Sequence, residues 1–159
     1  FVMDKVKEAG IMMITNPLTN LLLQGRKDKQ PIRRGITRVK ELLDRDVLVS
    51  FGQDCVNDTF YPFGSADMLM VANVMAHTAQ MVLAHEVEKV YDMITTDGAK
   101  ILKIEDYGIE VGKTANLVVI DAKTVRDAIS RAPERLFVIH KGEVLLETKT
   151  ETKKHYQTA

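Results

Sequence analysis

Gln53, Asp54, Cys55, Asn57 and Asp58 follow directly on the apolar run Val47-Leu48-Val49-Ser50-Phe51 and Gly52. Each of these side chains can ligate a metal or hydrogen-bond a substrate. A carboxylate held among such groups can take a proton from an attacking water. Asp54 is the leading candidate for a catalytic carboxylate. A turn or helix-cap aspartate carries the same local signature, so this stretch alone leaves both roles open.

What must position these groups is the run before them. Apolar, rich in β-branched residues and bounded by Asp46 and Gly52, it predicts a buried strand. Polar groups gathered just past a parallel strand stand where α/β barrels build their active sites. A second strand is predicted over residues 11–15, Ile-Met-Met-Ile-Thr, and Asn16-Pro17-Leu18-Thr19-Asn20 ends it at the same level as Asp54. Between the two strands, apolar positions 36, 39, 42 and 43 predict an amphipathic helix over residues 36–44. Strand, helix, strand at this spacing implies a parallel βαβ unit.

The rest of the chain adds helices and then a small β unit. Residues 1–9 read as an amphipathic helix ending at Gly10. Residues 65–85 read as one long, Met-rich helix whose methionines suit flexible core filling better than ligand contact. Two further helices are expected over residues 86–95 and 96–104, so His77 and His85 fall within helices and are not counted as ligands. Beyond Tyr107, residues 116–121 predict a strand, 125–130 a short helix, and 136–147 a hairpin turning at Lys141-Gly142. The tail over residues 149–159 alternates Lys, Thr and Glu and is expected to fray. Lys27, Lys29, Arg33 and Arg34 make a modest basic cluster, read as a solvated loop.

Composition sets the outer limits. With 45% hydrophobic residues, 159 residues can bury a real core. Lysine plus arginine equals aspartate plus glutamate at 22 each, so no global field attracts nucleic acid or an anionic membrane. One cysteine excludes an internal disulfide and fits a reducing compartment. No apolar stretch approaches the ~20 residues that span a bilayer, and a soluble cytoplasmic protein is the expectation. The first residue is Phe1, already inside a helical pattern, which points to a longer parent protein.

Several stretches together resemble one family. Asn16-Pro17-Leu18-Thr19-Asn20 with Gln24-Gly25-Arg26, Arg33-Arg34-Gly35-Ile36-Thr37-Arg38, Phe51-Gly52-Gln53-Asp54 with Tyr61-Pro62, Thr96-Asp97-Gly98-Ala99, Tyr107-Gly108-Ile109 and Ala115-Asn116-Leu117-Val118-Val119 are similar, in order, to the last part of the bacterial cytosine deaminases of the amidohydrolase superfamily. The resemblance implies an α/β fold: the last two strands of a (β/α)8 TIM barrel within residues 1–105, then part of a small composite β-sandwich over residues 106–148. It implies that Asp54 binds a divalent metal, zinc or iron, in a mononuclear site, and helps to deprotonate the attacking water. It also implies that Phe60 lines a pocket for a flat ring, with Asn20, Gln53 and Cys55 as further substrate contacts.

Two departures shape the expected function. The family's His-x-His pair, its later histidines and its glutamate have no counterparts here, so the remaining ligands must come from an N-terminal remainder of the same protein, and the 159-residue chain alone is expected to be inactive. Gln53 and Cys55 stand where those deaminases carry histidine and an acid, which argues against cytosine and leaves an aminotriazine, a creatinine-like lactam or another aminopyrimidine. The expected partners are therefore a small heterocycle, the missing N-terminal part and, in the intact enzyme, further copies of itself; neither nucleic acid nor membrane is among them. A non-catalytic remnant or assembly module is the alternative. Cys55 as a nucleophile ranks last, because no histidine lies in its loop.

Overall fold

The computed structural model describes residues 1–149, 151 and 153, so the tail expected to fray lies almost wholly outside the described residues. Helix α1 (Val2–Glu8) ends where Gly10 takes a positive φ of 64°. Strand β1 (Met13–Thr15) follows, and α2 (Pro17–Leu23) begins at once. This helix is missing from the sequence reading, which took Pro17 only as the end of a strand. Proline is equally a helix opener, because its fixed φ suits the first turn and its absent N–H is not needed there. Helix α3 (Val39–Leu43) is shorter than the expected 36–44 and buries Val39 and Leu42. It leads into β2 (Val49–Phe51), which is buried throughout. The two strands pair in parallel, with Met13 opposite Val49, Ile14 opposite Ser50 and Thr15 opposite Phe51. The βαβ unit is therefore present, and the chain is α/β.

The long helix expected over residues 65–85 is two helices, α4 (Met68–Thr78) and the start of α5 (Ala84–Met93). Gln80 adopts a left-handed φ of 55°, which stops the first helix. The Glu86 carboxylate then accepts the Val82 and Leu83 N–H groups, both at 2.9 Å, and starts the second. Helix α6 (Thr96–Ile101) packs on β2. Val49, Val71, Ala72, Met75, Val90 and Met93 are fully buried, so the methionines do fill core.

After α6 come β3 (Leu117–Ile120), α7 (Val125–Arg131), β4 (Arg135–His140) and β5 (Glu143–Glu147). The three strands form one antiparallel sheet in the order β3-β4-β5, and β5 is exposed along its whole length. Among the described residues no second sheet is stacked on this one. Helix α7 packs instead on α4 and α5, and its Ala128 and Ile129 join the same core as the parallel strands. Among the described residues no helix is long and apolar enough to cross a membrane.

Candidate functional site

The parallel ladder runs one bond past β2, where the Gly52 N–H donates to the Thr15 carbonyl at 2.9 Å. The Asn16 side chain lies against this point, and a Cβ on residue 52 would stand 2.3 Å from Asn16 Oδ1. A side chain at residue 52 would have to displace the Asn16 amide. At the next residue, the Thr19 hydroxyl donates to the Gln53 carbonyl at 3.2 Å and ties the emerging loop to α2.

Asp54 follows with a φ of 65°, in the left-handed region, and its side chain is exposed. Asn57 and Ala66 in the same loop also have positive φ, at 50° and 57°. Such conformations cost energy and persist only where the surroundings impose them. Here Asp58 imposes much of the loop's shape. Its carboxylate accepts the N–H groups of Phe60 and Tyr61, both at 2.9 Å, while its own N–H donates to the Tyr61 carbonyl at 3.2 Å. The Tyr61 N–H, together with those of Phe60 and the Cys55 thiol, holds the Asp58 carboxyl below the usual range. Tyr61 is buried and meets the exposed Phe63 ring edge to face at 6.1 Å, whereas Phe60 stands 64% exposed.

Cys55 is half-buried. Burial pushes its thiol pKa up, and the neighbouring Asp58 and Asp54 carboxylates push it further, so the group is a neutral thiol at pH 7. Gln53 is buried, and among the described residues neither its amide oxygen nor its amide nitrogen has a hydrogen-bond partner. A buried unpaired amide is costly and calls for a partner. Asn20 is half-buried on α2, one residue beyond Thr19.

The chain thus brings Gln53, Asp54 and Cys55 together on one loop, with Phe60 projecting from its far limb and Asn20 on the adjoining helix. Thr19 and Asp58 hold this arrangement. Thr19 was missed, and Asp58, read as a candidate ligand, is a loop-shaping residue instead, an aspartate two and three positions before the N–H groups it captures. Among the described residues no three His, Cys, Asp or Glu side chains gather to hold a metal. Asp54 offers one free carboxylate to a metal, whereas Asp58 is already engaged. His77 lies on α4 and bonds the Asn73 carbonyl of its own helix at 2.8 Å. A cavity of about 350 Å³ adjoins the strand end at Ile14, Phe51 and Gly52. Another of about 510 Å³ opens at the opposite end of β2, beside Val47, Lys40 and Lys89, and its lysines are paired with Glu86 and Asp97.

Residues 4–149 match a family described as "Amidohydrolase family". The chain is 34% identical over 109 residues to N-isopropylammelide isopropyl amidohydrolase of Pseudomonas sp. strain ADP, covering 68% of this chain and 27% of that protein. It is 32% identical over 144 residues to pterin deaminase of Rhizobium rhizogenes, covering 89% of this chain and 32% of that one. In structure it is similar to 5-methylcytosine deaminase from Klebsiella pneumoniae liganded with 5-fluorocytosine, with a TM-score of 0.89 at 33% identity over 97% of this chain and 38% of that one. The chain therefore spans about a third of the length of the curated relatives it matches.

Proposed function

The chain belongs to the amidohydrolase family, and from that premise we propose that it is the C-terminal part of a metal-dependent hydrolase that deaminates a heterocyclic amine. On this reading residues 1–105 are the C-terminal part of a (β/α)8 barrel, with β1 and β2 as its last two strands, and residues 106–148, with β3 to β5, are part of a composite β-sandwich. An N-terminal remainder supplies the other strands and the other ligands, and the intact enzyme is a soluble, cytoplasmic homo-oligomer.

The observation that carries the reading is Asp54: an exposed carboxylate, in a left-handed conformation, at the C-terminal end of a buried parallel strand. One carboxylate at such a point fits a single position in a mononuclear site and no more, since such sites take ~3 protein ligands. A divalent metal, when bound, would supply Lewis-acid activation of water near neutral pH. Asp54 would hold one position on it and serve as proton acceptor for the attacking water. Phe60 offers an exposed ring on which a flat heterocycle can stack. The neutral Cys55 thiol offers no anion to a protonated or strongly donating ring nitrogen. That favours a pterin-like or triazine-like ring over cytosine. The similarity to an N-isopropylammelide isopropyl amidohydrolase, a pterin deaminase and a 5-methylcytosine deaminase supports a nitrogen heterocycle as the class.

The test is expression of the intact parent reading frame, metal analysis, and a screen of aminopyrimidines, aminotriazines and pterins for ammonia release. The expected result is about one divalent metal per chain, ring deamination, and loss of activity in Asp54→Asn. Full activity in that variant would remove the assignment, and an upstream sequence without a His-x-His pair would remove the metal.

A further inference from the structure

The loop that carries Asp54 covers residues 52–66 and runs directly into Asp67. Its first end is fixed by the Gly52 and Gln53 backbone contacts to Thr15 and Thr19. Its second end is fixed by a residue from the antiparallel sheet. The Asp67 carboxylate caps α4, accepting from Leu69 N–H at 2.9 Å and Met70 N–H at 3.4 Å. The same carboxylate takes the guanidinium of Arg135 through both terminal nitrogens, Nη1 to Oδ2 at 3.0 Å and Nη2 to Oδ1. A bidentate pair of this kind fixes orientation as well as distance. It is half-buried, with 27% and 24% of the two side chains exposed, and so is screened less than a surface pair.

Between Asp67 and the site lies Gly64. It is buried against the backbone of the loop's first limb, where a Cβ would stand 2.3 Å from the Cys55 carbonyl oxygen and 2.8 Å from Val56 Cα. Only two residues separate Gly64 from Asp67. A shift of Asp67 is carried along that short tether to the backbone of Cys55, the residue after Asp54.

We propose that Arg135 is a positioning residue for the strand-end loop: by gripping Asp67 it seats the Gly64 return against Cys55 and so fixes Asp54 and Cys55. The sheet that contributes Arg135 is then a brace for the site. This rests on the reading of Asp54 and Cys55 as site residues, but the brace itself has a readout independent of activity, the exposure of the Cys55 thiol.

The experiment uses the intact protein and the variants Arg135→Ala, Arg135→Lys, Asp67→Asn and the double variant Arg135→Ala/Asp67→Asn. Asparagine keeps the α4 cap and removes only the charge that Arg135 grips. Alkylation of Cys55 by iodoacetamide is followed by mass spectrometry of its peptide, alongside steady-state kinetics and melting temperature. Expected are faster alkylation of Cys55 and a fall in kcat of about tenfold to a hundredfold with KM changed far less, because misplacement of about 1 Å costs that much. The two single variants should match each other and the double variant should add nothing, while Arg135→Lys falls between them and the parent. An unchanged alkylation rate together with a lowered melting temperature in Asp67→Asn and Arg135→Lys would overturn the proposal, since the pair would then hold only the sheet. Should Arg135→Ala fail to fold, those two variants decide alone. A wild type with no deaminase activity but faster alkylation in the variants would leave the brace standing and remove the reading of function.

Discussion

The two ends of β2 treat their polar groups in opposite ways. Towards the helical layer, each buried polar group is matched within the chain. The Ser50 hydroxyl donates to the Met93 carbonyl at 2.6 Å, Asp97 sits between Lys89 and Lys100, and Glu86 is shared by Lys40 and two N–H groups. Past Phe51 the pattern reverses: Asp54 is exposed on a strained backbone, the Gln53 amide is unmatched, and Phe60 and Phe63 project outward. Groups satisfied internally serve the fold, whereas groups left open at a strand end await something from outside. Substitutions at the two ends should therefore separate stability from activity.

The largest effect is expected at the open end. Asp54→Asn in the intact enzyme should lower kcat by about 10²-fold to 10⁴-fold, the range for a lost proton acceptor. In the metal-stripped protein its melting temperature should stay level or rise, because the Asp54 side chain is exposed on a left-handed backbone and its change takes nothing from the core. A variant that unfolded as it lost activity would erase the contrast between the ends.

At the closed end the order inverts. Burial pushes the Asp97 carboxyl up, but hydrogen bonds from Lys89 and Lys100 outweigh it and hold the group below the usual range. Asp97→Asn should destabilise by about 1–3 kcal/mol, the value of charged hydrogen bonds to a buried group, with kcat unchanged in the folded fraction. Chemical denaturation alongside activity at low temperature checks both halves.

A smaller effect is expected from pH. Glu86 is lowered to about 2 from an ordinary 4.5, first by the hydrogen bond from Lys40 and then by the Leu83 N–H. A folded-state pKa below the unfolded one means stabilisation that is complete above pH 4.5 and lost as pH falls towards 2. The acid limb of a stability profile should be shallower in Glu86→Gln than in the parent, although Asp127, held at about 2 by Arg131, keeps part of the slope. Identical limbs would place the acid sensitivity outside this cap.

The contrast also explains what could be read in advance. Strand β2 and the methionine core were legible because apolar sequence and burial coincide there, whereas α1 and β1 were legible from apolar spacing alone, since α1 buries no residue and Ile14 of β1 is half exposed. Helix α2 was not, because Pro17 is at once a strand terminator and a helix opener. The break between α4 and α5 was hidden because residues 79–83 contain neither Gly nor Pro, and the turn depends on Gln80 backbone geometry and the reach of Glu86. At the site, Asp54, Gln53 and Cys55 were visible as a polar cluster after an apolar run. The Arg135 grip on Asp67 joins residues 68 positions apart and leaves no periodic trace.

Gln53 offers the finest test, because it is both buried and unmatched. An unpaired amide in an apolar setting costs about 1–3 kcal/mol, and a nearly isosteric apolar residue removes that cost while keeping the volume. If nothing in the intact enzyme pairs with it, Gln53→Met should raise stability by about 1 kcal/mol and leave kcat/KM alone. If the substrate ring is the missing partner, the same variant should gain stability and lose kcat/KM, chiefly through KM. If the N-terminal remainder pairs with it, stability should fall and kinetics should hold. The three results differ in sign, so one variant measured twice assigns this buried amide its partner.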